Sequence, residues 1–564
     1  MFVKDIRREF YEAVLHQRVL VFVGFDVDGL CAVKILQYLF QCDHVLYTII
    51  PVAGKQDLER AFVENSEGMK HVLMINCGAN LDVVELLQPD EGVVFYICDS
   101  HRPVDIYNVF NAVQVKLLMK QEELTDVPEY EEVFCDEESE DDSGNESDSS
   151  DRLGKKQRFD DEAIERRRKK RQWEENKNKI LFNYMQFSTF GTSAALTMFE
   201  LAWKMSKDTT DLLWLAIIGL TDQYIHYKVC RDKYMDDVLT LQSHVSRHSH
   251  RGDDADNVIS VDCLRIVFEE ELRLTLYRHW TLYDSICHSM NFSCKFKVWS
   301  LRGQKRLQEF LAEMGMPLNQ CKQKFVSMDP SIKANLKELI LEHTEKYGLE
   351  TADVVVPSFF AQYGYRNKLS ATDVAHACVA ALESVERGKK ATDNFLSALD
   401  ILHRTNTEGM EKSLDLAKKQ LKAMVTQVQT FLDMHQVISA GPFLYVFIQE
   451  GTADVKYFSK VQCLTRLARF TLEAYSAQSK SRKAKSLPLV LGAPLDPEEG
   501  TTIIIGIPPL NLDDERKNFF GKAFEQAASS TGSRSLHDSF DSYVMEMKGE
   551  DRSKFFDALI SLLQ

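Results

Sequence analysis

Hydrophobic and polar positions follow two alternating periods along the first 128 residues. Ile6, Phe10 and Val14 recur every four positions, which places them on one face of an amphipathic helix that should cover a sheet. Residues 19–25 form a short apolar run rich in Val and Phe, broken by Gly24 and followed by Asp26, the pattern of a buried parallel strand. Further strands are predicted at 44–52, 71–75 and 93–98. Helical patterns lie between them, from Leu30, around 57–63 and near Val83. Strands separated by helices of this length form right-handed βαβ units and a mainly parallel sheet.

The carboxyl ends of these strands carry polar residues: Asp26 and Asp28 on the first, Asn76-Cys77-Gly78 on the third, and Asp99-Ser100-His101 on the fourth. In open α/β sheets ligands bind at that edge. Asp26 and Asp28 suit a pair of hard-metal ligands. They equally suit a helix start, with Asp28 as the N-cap before Gly29. Beyond residue 171, FGTSAALTMFELAWKM opens with Gly-Thr-Ser and continues at helical spacing, so its N-terminus offers free backbone N–H groups. The next apolar helix, DLLWLAIIGLTDQY, places Asp222 near its end and adds one more carboxylate.

Charge changes the picture in one place. The 564 residues carry a formal net charge of −17, but residues 129–151 hold twelve acids and no base, so the rest of the chain carries only −5. The acidic block has little to bury and is expected to be disordered. Within it, Ser139 and Ser143 each have an acid three residues on, a phosphorylation pattern. The run Arg166, Arg167, Arg168, Lys169, Lys170 and Arg171 follows, read either as a nuclear-import signal or as one solvated face of a charged helix. No apolar run reaches the roughly 18 residues of a membrane span, and MFVKDIRREF lacks a signal-peptide core, so an intracellular, non-membrane protein is expected. Twelve scattered cysteines without a C-x-x-C pair argue against zinc ribbons and disulfides.

Residues 229–370 break the alternation. HVSRHSHRGDDADN is read as a polar loop whose His244, His248 and His250 lack a metal-site framework. VDCLRIVFEEELRLTLYRHW, GQKRLQEFLAEMGM and SIKANLKELILEHTEKYG are read as helices of a partner-docking insert, with exposed apolar residues expected in 307–328. Residues 371–440 read as a helical connector. From 441 to 564 a second α/β pattern runs to the end of the sequence. The expected organisation is 1–128 and 172–228 as two parts of one sheet domain, 129–171 as an acidic then basic disordered insert, 229–370 as the helical insert, 371–440 as the connector and 441–564 as a smaller C-terminal α/β domain.

The Asp-x-Asp-Gly at the first strand end, Asp99-Ser100-His101, and Asp222 closing an apolar helix resemble motifs of the DHH phosphoesterases, the superfamily of the RecJ nuclease. More narrowly, CDSHRPV, the acidic insert and RKNFFGKAFEQAA resemble the eukaryotic cell division control protein 45 family, across essentially the whole chain. The resemblance implies a RecJ/DHH-like fold. Catalytic members hold two Mn²⁺ or Mg²⁺ ions with these carboxylates and histidines and hydrolyse phosphodiesters or pyrophosphates. Two positions depart from that pattern: Asn76 stands where the bridging aspartate belongs, and Ser100 replaces the first histidine of the third motif. Asp26, Asp28, Asp99, His101 and Asp222 remain, enough at most for one weak metal site, and are expected to hydrogen-bond neighbouring loops. No catalytic residue, metal or cofactor is expected. The resemblance implies a nuclear, non-catalytic component of the replicative helicase, needed for initiation and elongation. It would bridge the minichromosome maintenance hexamer and the GINS complex, meet replication-loading factors and bind single-stranded DNA weakly. The alternative is an active metal-dependent exonuclease or phosphoesterase.

Overall fold

Val19, Leu20, Val21, Phe22 and Val23 are all fully buried, because helices cover both faces of the strand they form. The computed structural model describes residues 1–124, 126–134, 154–253, 264–363, 367–479, 482–510 and 517–564. The first sheet domain runs β1 (Arg18–Gly24), α1 (Val27–Cys42), β2 (Leu46–Val52), α2 (Lys55–Asn65), β3 (His71–Ile75), β4 (Val94–Cys98) and β5 (Val115–Leu117). Its strands are ordered β2-β1-β3-β4-β5, every pair parallel. The chain leaves β1 to one side for β2 and returns on the other for β3, so the order reverses between β1 and β3. In doubly wound sheets that switch point opens a crevice at the carboxyl ends. The N-terminal helical segment buries Ile6, Phe10 and Val14 against one face, as the spacing predicts, with the Phe10 and Tyr96 rings 4.9 Å apart.

The long helix α3 (Gly154–Met185) starts inside the segment expected to be disordered. Arg168 to Arg171 are exposed on it. The side chains of Arg166 and Arg167, and the whole of Ser139 and Ser143, lie outside the described residues. Helices α4 (Ala194–Lys204) and α5 (Thr210–Ile225) then pack on α1 and complete the domain across the insert.

Helix α6 (Arg231–Asp253) takes up residues 244–253 of the stretch read as a polar loop. His248 pairs with Asp208 at 3.1 Å and His244 meets Arg247 at 3.0 Å, while the side chain of His250 lies outside the described residues. The stretch read as the helix VDCLRIVFEEEL is instead strand β6 (Leu264–Leu272). Among the insert helices are α7 (Leu301–Glu313) and α8 (Pro330–Tyr347), and two further strands follow, β7 (Val355–Tyr363) and β8 (Asn367–Ser370). β6 pairs antiparallel with β7 along its whole length, from Leu264 opposite Tyr363 to Leu272 opposite Val355. Three consecutive glutamates gave the sequence a helical look, and only a partner about 90 residues away supplies the ladder that overrides it. The insert is thus a mixed unit. Leu307, Phe310, Leu311, Met314, Met316, Cys321 and Met328 are buried in a core of its own, which corrects the expectation of exposed apolar residues in 307–328. Val326 is exposed there, and Leu301 just outside it.

Helix α9 (Ala371–Leu382), expected as connector, is buried on α5 and α1 within the first domain's core. The next long helix, α10 (Thr407–Asp433), gives its second half, from Ala423 to Leu432, to the C-terminal core. That domain contains β9 (Ile438–Ser439), β10 (Leu444–Phe447), α11 (Val461–Gln478), β11 (Leu489–Asp496), β12 (Thr501–Ile507), α12 (Phe520–Thr531), β13 (Ser535–Leu536), β14 (Val544–Lys548) and α13 (Arg552–Leu563). Its sheet has the order β9-β10-β11-β12-β14-β13. Among the described residues no helix is long and apolar enough to cross a membrane.

Candidate functional site

The switch-point crevice is where the strand-end residues converge, and Gly24 sets how tightly. A Cβ on Gly24 would lie 2.5 Å from the Asn76 carbonyl oxygen, so only glycine lets the tails of β1 and β3 approach this closely. The residue that caps α1 is Asp26, not Asp28: its Oδ1 accepts from Gly29 N at 2.6 Å while its backbone is still extended. Asp28, in the first turn, is left to point across the crevice.

Asp28 is 1% exposed and saturated with donors. It accepts from Ser193 Oγ, from the backbone N–H of Ala194 (2.8 Å) and Ala195 (3.0 Å) at the start of α4, and from Gln223 Nε2 (3.5 Å). The free N–H groups expected at the Gly-Thr-Ser helix start therefore bind a carboxylate of this chain. Asn76, held in the left-handed region at φ 51°, lies between the two aspartates. Its Nδ2 donates to Asp26 Oδ1 at 3.0 Å and to Asp28 Oδ2 at 3.1 Å. Its Oδ1 accepts from Ser100 N at 3.0 Å, and that bond fixes which end of the amide faces the carboxylates.

The second half of the site is an ionic triad. Asp99 accepts from Gly78 N, Ala79 N and His101 N at 2.8 to 2.9 Å, and its Oδ1 is 2.6 Å from His101 Nδ1. The other ring nitrogen of His101 is 3.4 Å from Asp541 Oδ1, a residue of the C-terminal domain. Burial opposes a charged imidazole, but Asp99 and Asp541 outweigh it and push the pKa up to about 10, so His101 is an imidazolium at neutral pH. Burial opposes an ionised Asp99 as well; the charge and hydrogen bonds of His101, with the backbone donors, hold it well below the usual carboxylate range. The loop carrying Asp541 is tied over the sheet edge by Asn80 Nδ2 to Phe540 O (2.6 Å) and by Lys55 N to Asp538 O (2.8 Å).

Lys228 lies near the carboxylates. Burial acts to lower its pKa, yet the combined fields of Asp26, Asp541, Asp222 and Asp28 raise it above the ordinary lysine value. Burial pushes Asp26 up to about 6 despite Lys228. Asp222, in the last turn of α5, sits 2.9 Å from His226 Nδ1. All seven expected positions, Asp26, Asp28, Asn76, Asp99, Ser100, His101 and Asp222, are thus buried in this part of the molecule. Lys228 and Asp541 were not legible: a lone lysine after a helix and an Asp in SFDSY carry no spacing signal.

This donor set does not fit a two-metal centre. Asn76 presents N–H where a bridging oxygen is needed, both ring nitrogens of His101 face carboxylates, the oxygens of Asp28 and Asp99 are taken, and Lys228 supplies the positive charge that divalent ions would bring. Among the described residues no group of three or more His, Cys, Asp or Glu could hold a metal ion.

A parallel α/β domain whose switch-point carboxylates are satisfied from within, closed by a second α/β domain, defines a doubly wound scaffold with a filled, charge-balanced strand-end site. The CDC45 family model matches residues 19–152 and 118–562. The chain is 52% identical to the cell division control protein 45 homolog of Homo sapiens, over 100% of both chains. It is 30% identical to that of Schizosaccharomyces pombe, over 96% of this chain and 95% of the other. The crystal structure of CDC45 from Entamoeba histolytica superposes with a TM-score of 0.70 at 24% identity, covering 100% of each chain. The chain belongs to the CDC45 family.

Proposed function

We propose that this chain is a non-catalytic component of the eukaryotic replicative DNA helicase, acting in the nucleus. It joins the minichromosome maintenance hexamer to the GINS complex, meets replication-loading factors, and holds single-stranded DNA weakly. The observation that carries the non-catalytic part is the Asn76 amide bonded to both Asp26 and Asp28, in a site whose charge is balanced by Lys228 and His101. Family membership and the resemblance support the helicase role. The insert with its own core supports a docking role, because a folded unit that buries its own apolar residues is free to present an outer surface. Two assays test the reading. Purified chain with Mn²⁺ and 5′-labelled single-stranded DNA should release no nucleotide above a control carrying Asp26→Ala and Asp99→Ala; release that falls in the control defeats the non-catalytic reading. Co-purification with the minichromosome maintenance and GINS proteins should weaken on replacing the exposed Leu301 and Val326 by Glu with the fold intact, and unchanged assembly would move the contact off this surface of the insert.

A further inference from the structure

A cavity of about 420 Å³ lies between the end of α5, strand β6, helix α11 and the loop after β12. That is within the roughly 300–1,000 Å³ typical of small-molecule sites. All three units build it: the first domain, the insert and the C-terminal domain.

Its wall is strongly cationic. Lys228, Arg231, Arg273, Arg466, Arg469 and Lys517 line it, and Glu271 is the one carboxylate residue among the described lining. Glu271 is already engaged, by Arg278 at 2.5 Å, Ser370 at 2.6 Å and Thr372 at 3.2 Å. Two of the cations are answered from within: Lys228 by the aspartates of the strand-end site, and Arg469 by Glu473 at 3.2 Å. Arg273 donates to the Ala352 carbonyl at 3.0 Å and has no ion pair within 4 Å among the described residues.

Arg466 stands apart. It makes no hydrogen bond or ion pair with any described residue, and burial lowers its pKa from the usual arginine value. Of the two carboxylates whose charge acts on it, Glu383 accepts from Gln462 N and Cys463 N at 2.6 and 2.8 Å and is itself pushed up to about 7 by burial, and Asp222 pairs with His226. A guanidinium on a cavity wall with no ion pair of its own keeps its N–H donors for a ligand of opposite charge. Leu421, Met424, Ile507 and Leu510 supply an apolar wall beside the cations.

We propose that this cavity binds a small di- or triphosphate, with the phosphates on Arg466 and Arg273 and any non-polar part of the ligand against Met424 and Ile507. Guanidinium groups match phosphate oxygens with paired N–H donors, and more than one cation calls for a ligand of more than one negative charge. The site goes beyond the helicase role and does not depend on it.

The test uses the full chain, titrated by calorimetry and followed by thermal melting, with inorganic pyrophosphate, ATP and a short oligothymidylate as probes. Pyrophosphate and ATP should both bind and raise the melting temperature. Tighter binding of ATP assigns a nucleotide as the source of the phosphates, and equal binding assigns pyrophosphate alone. Arg466→Met should weaken binding by about tenfold or more. Arg466→Lys should keep part of the binding. Absence of binding by both phosphate probes, or unchanged affinity in Arg466→Met, would overturn the proposal. So would oligothymidylate binding that Arg466→Met weakens while ATP does not bind.

Discussion

His101 Nε2 lies 3.4 Å from Asp541 Oδ1, an ion pair between the strand-end loop of the first domain and the loop that precedes the last strand of the C-terminal domain. His101 is 8% and Asp541 9% exposed, so solvent screens this charge pair little. Breaking one side of a buried pair leaves the other uncompensated. His101→Gln and Asp541→Asn should each destabilise by about 3 kcal/mol, and the double variant by clearly less than their sum. Chemical denaturation of the four proteins measures the coupling; additive losses would mean the two residues act independently.

The same pair gives stability a pH dependence of known sign. The His101 pKa is raised in the folded state, from about 6.5 to about 10. Its contribution is therefore complete below about pH 6.5 and is lost as pH rises through 10. The difference in melting temperature between wild type and His101→Gln should be largest below pH 6.5 and shrink toward pH 10. A difference that grew with pH would mean that the folded state holds the imidazole neutral.

Lys228 supplies the cation to the strand-end carboxylates. Lys228→Met should lower stability by about 3 kcal/mol. Millimolar Mn²⁺ should recover part of that loss, because Asp26 and Asp28 then lack the cation whose field reaches them, whereas wild-type melting should not respond to Mn²⁺. Equal response of the two proteins to the metal would refute the exchange of a lysine for an ion.

The insert separates buried from exposed apolar positions. Leu307 and Phe310 are fully buried, while Leu301 is 80% and Val326 75% exposed. Leu307→Glu or Phe310→Glu should unfold the insert, costing more than about 3 kcal/mol. Leu301→Glu and Val326→Glu should stay within about 0.5 kcal/mol of wild type. Circular dichroism melts distinguish the two pairs directly.

Periodicity made the parallel sheet legible, because strands such as His71–Ile75 are buried on both faces and are written as unbroken apolar runs. The strand-end polar residues were legible for a related reason: a carboxylate directly after such a run has few places to go except the sheet edge. Periodicity failed at Leu264–Leu272, where alternation is weak and the strand exists only through its pairing with Val355–Tyr363. It failed again at Leu307–Met328, since helical spacing shows that a helix has an apolar face but not what covers it.

By itself the sequence determined which polar groups arrive at the carboxyl edge of the sheet, and that Asn76 and Ser100 stand among them. Those are local facts, fixed by side-chain identity and by the period of each element. The tertiary structure decided what the groups do there. Asp541 reaches His101 from 440 residues away, Ser193 and the start of α4 reach Asp28 from across the insert, and Lys228 enters the same low-dielectric pocket. Charge balance inside a buried site depends on every group within a few ångströms, whatever their separation along the chain, so only the folded chain shows that these carboxylates are already satisfied.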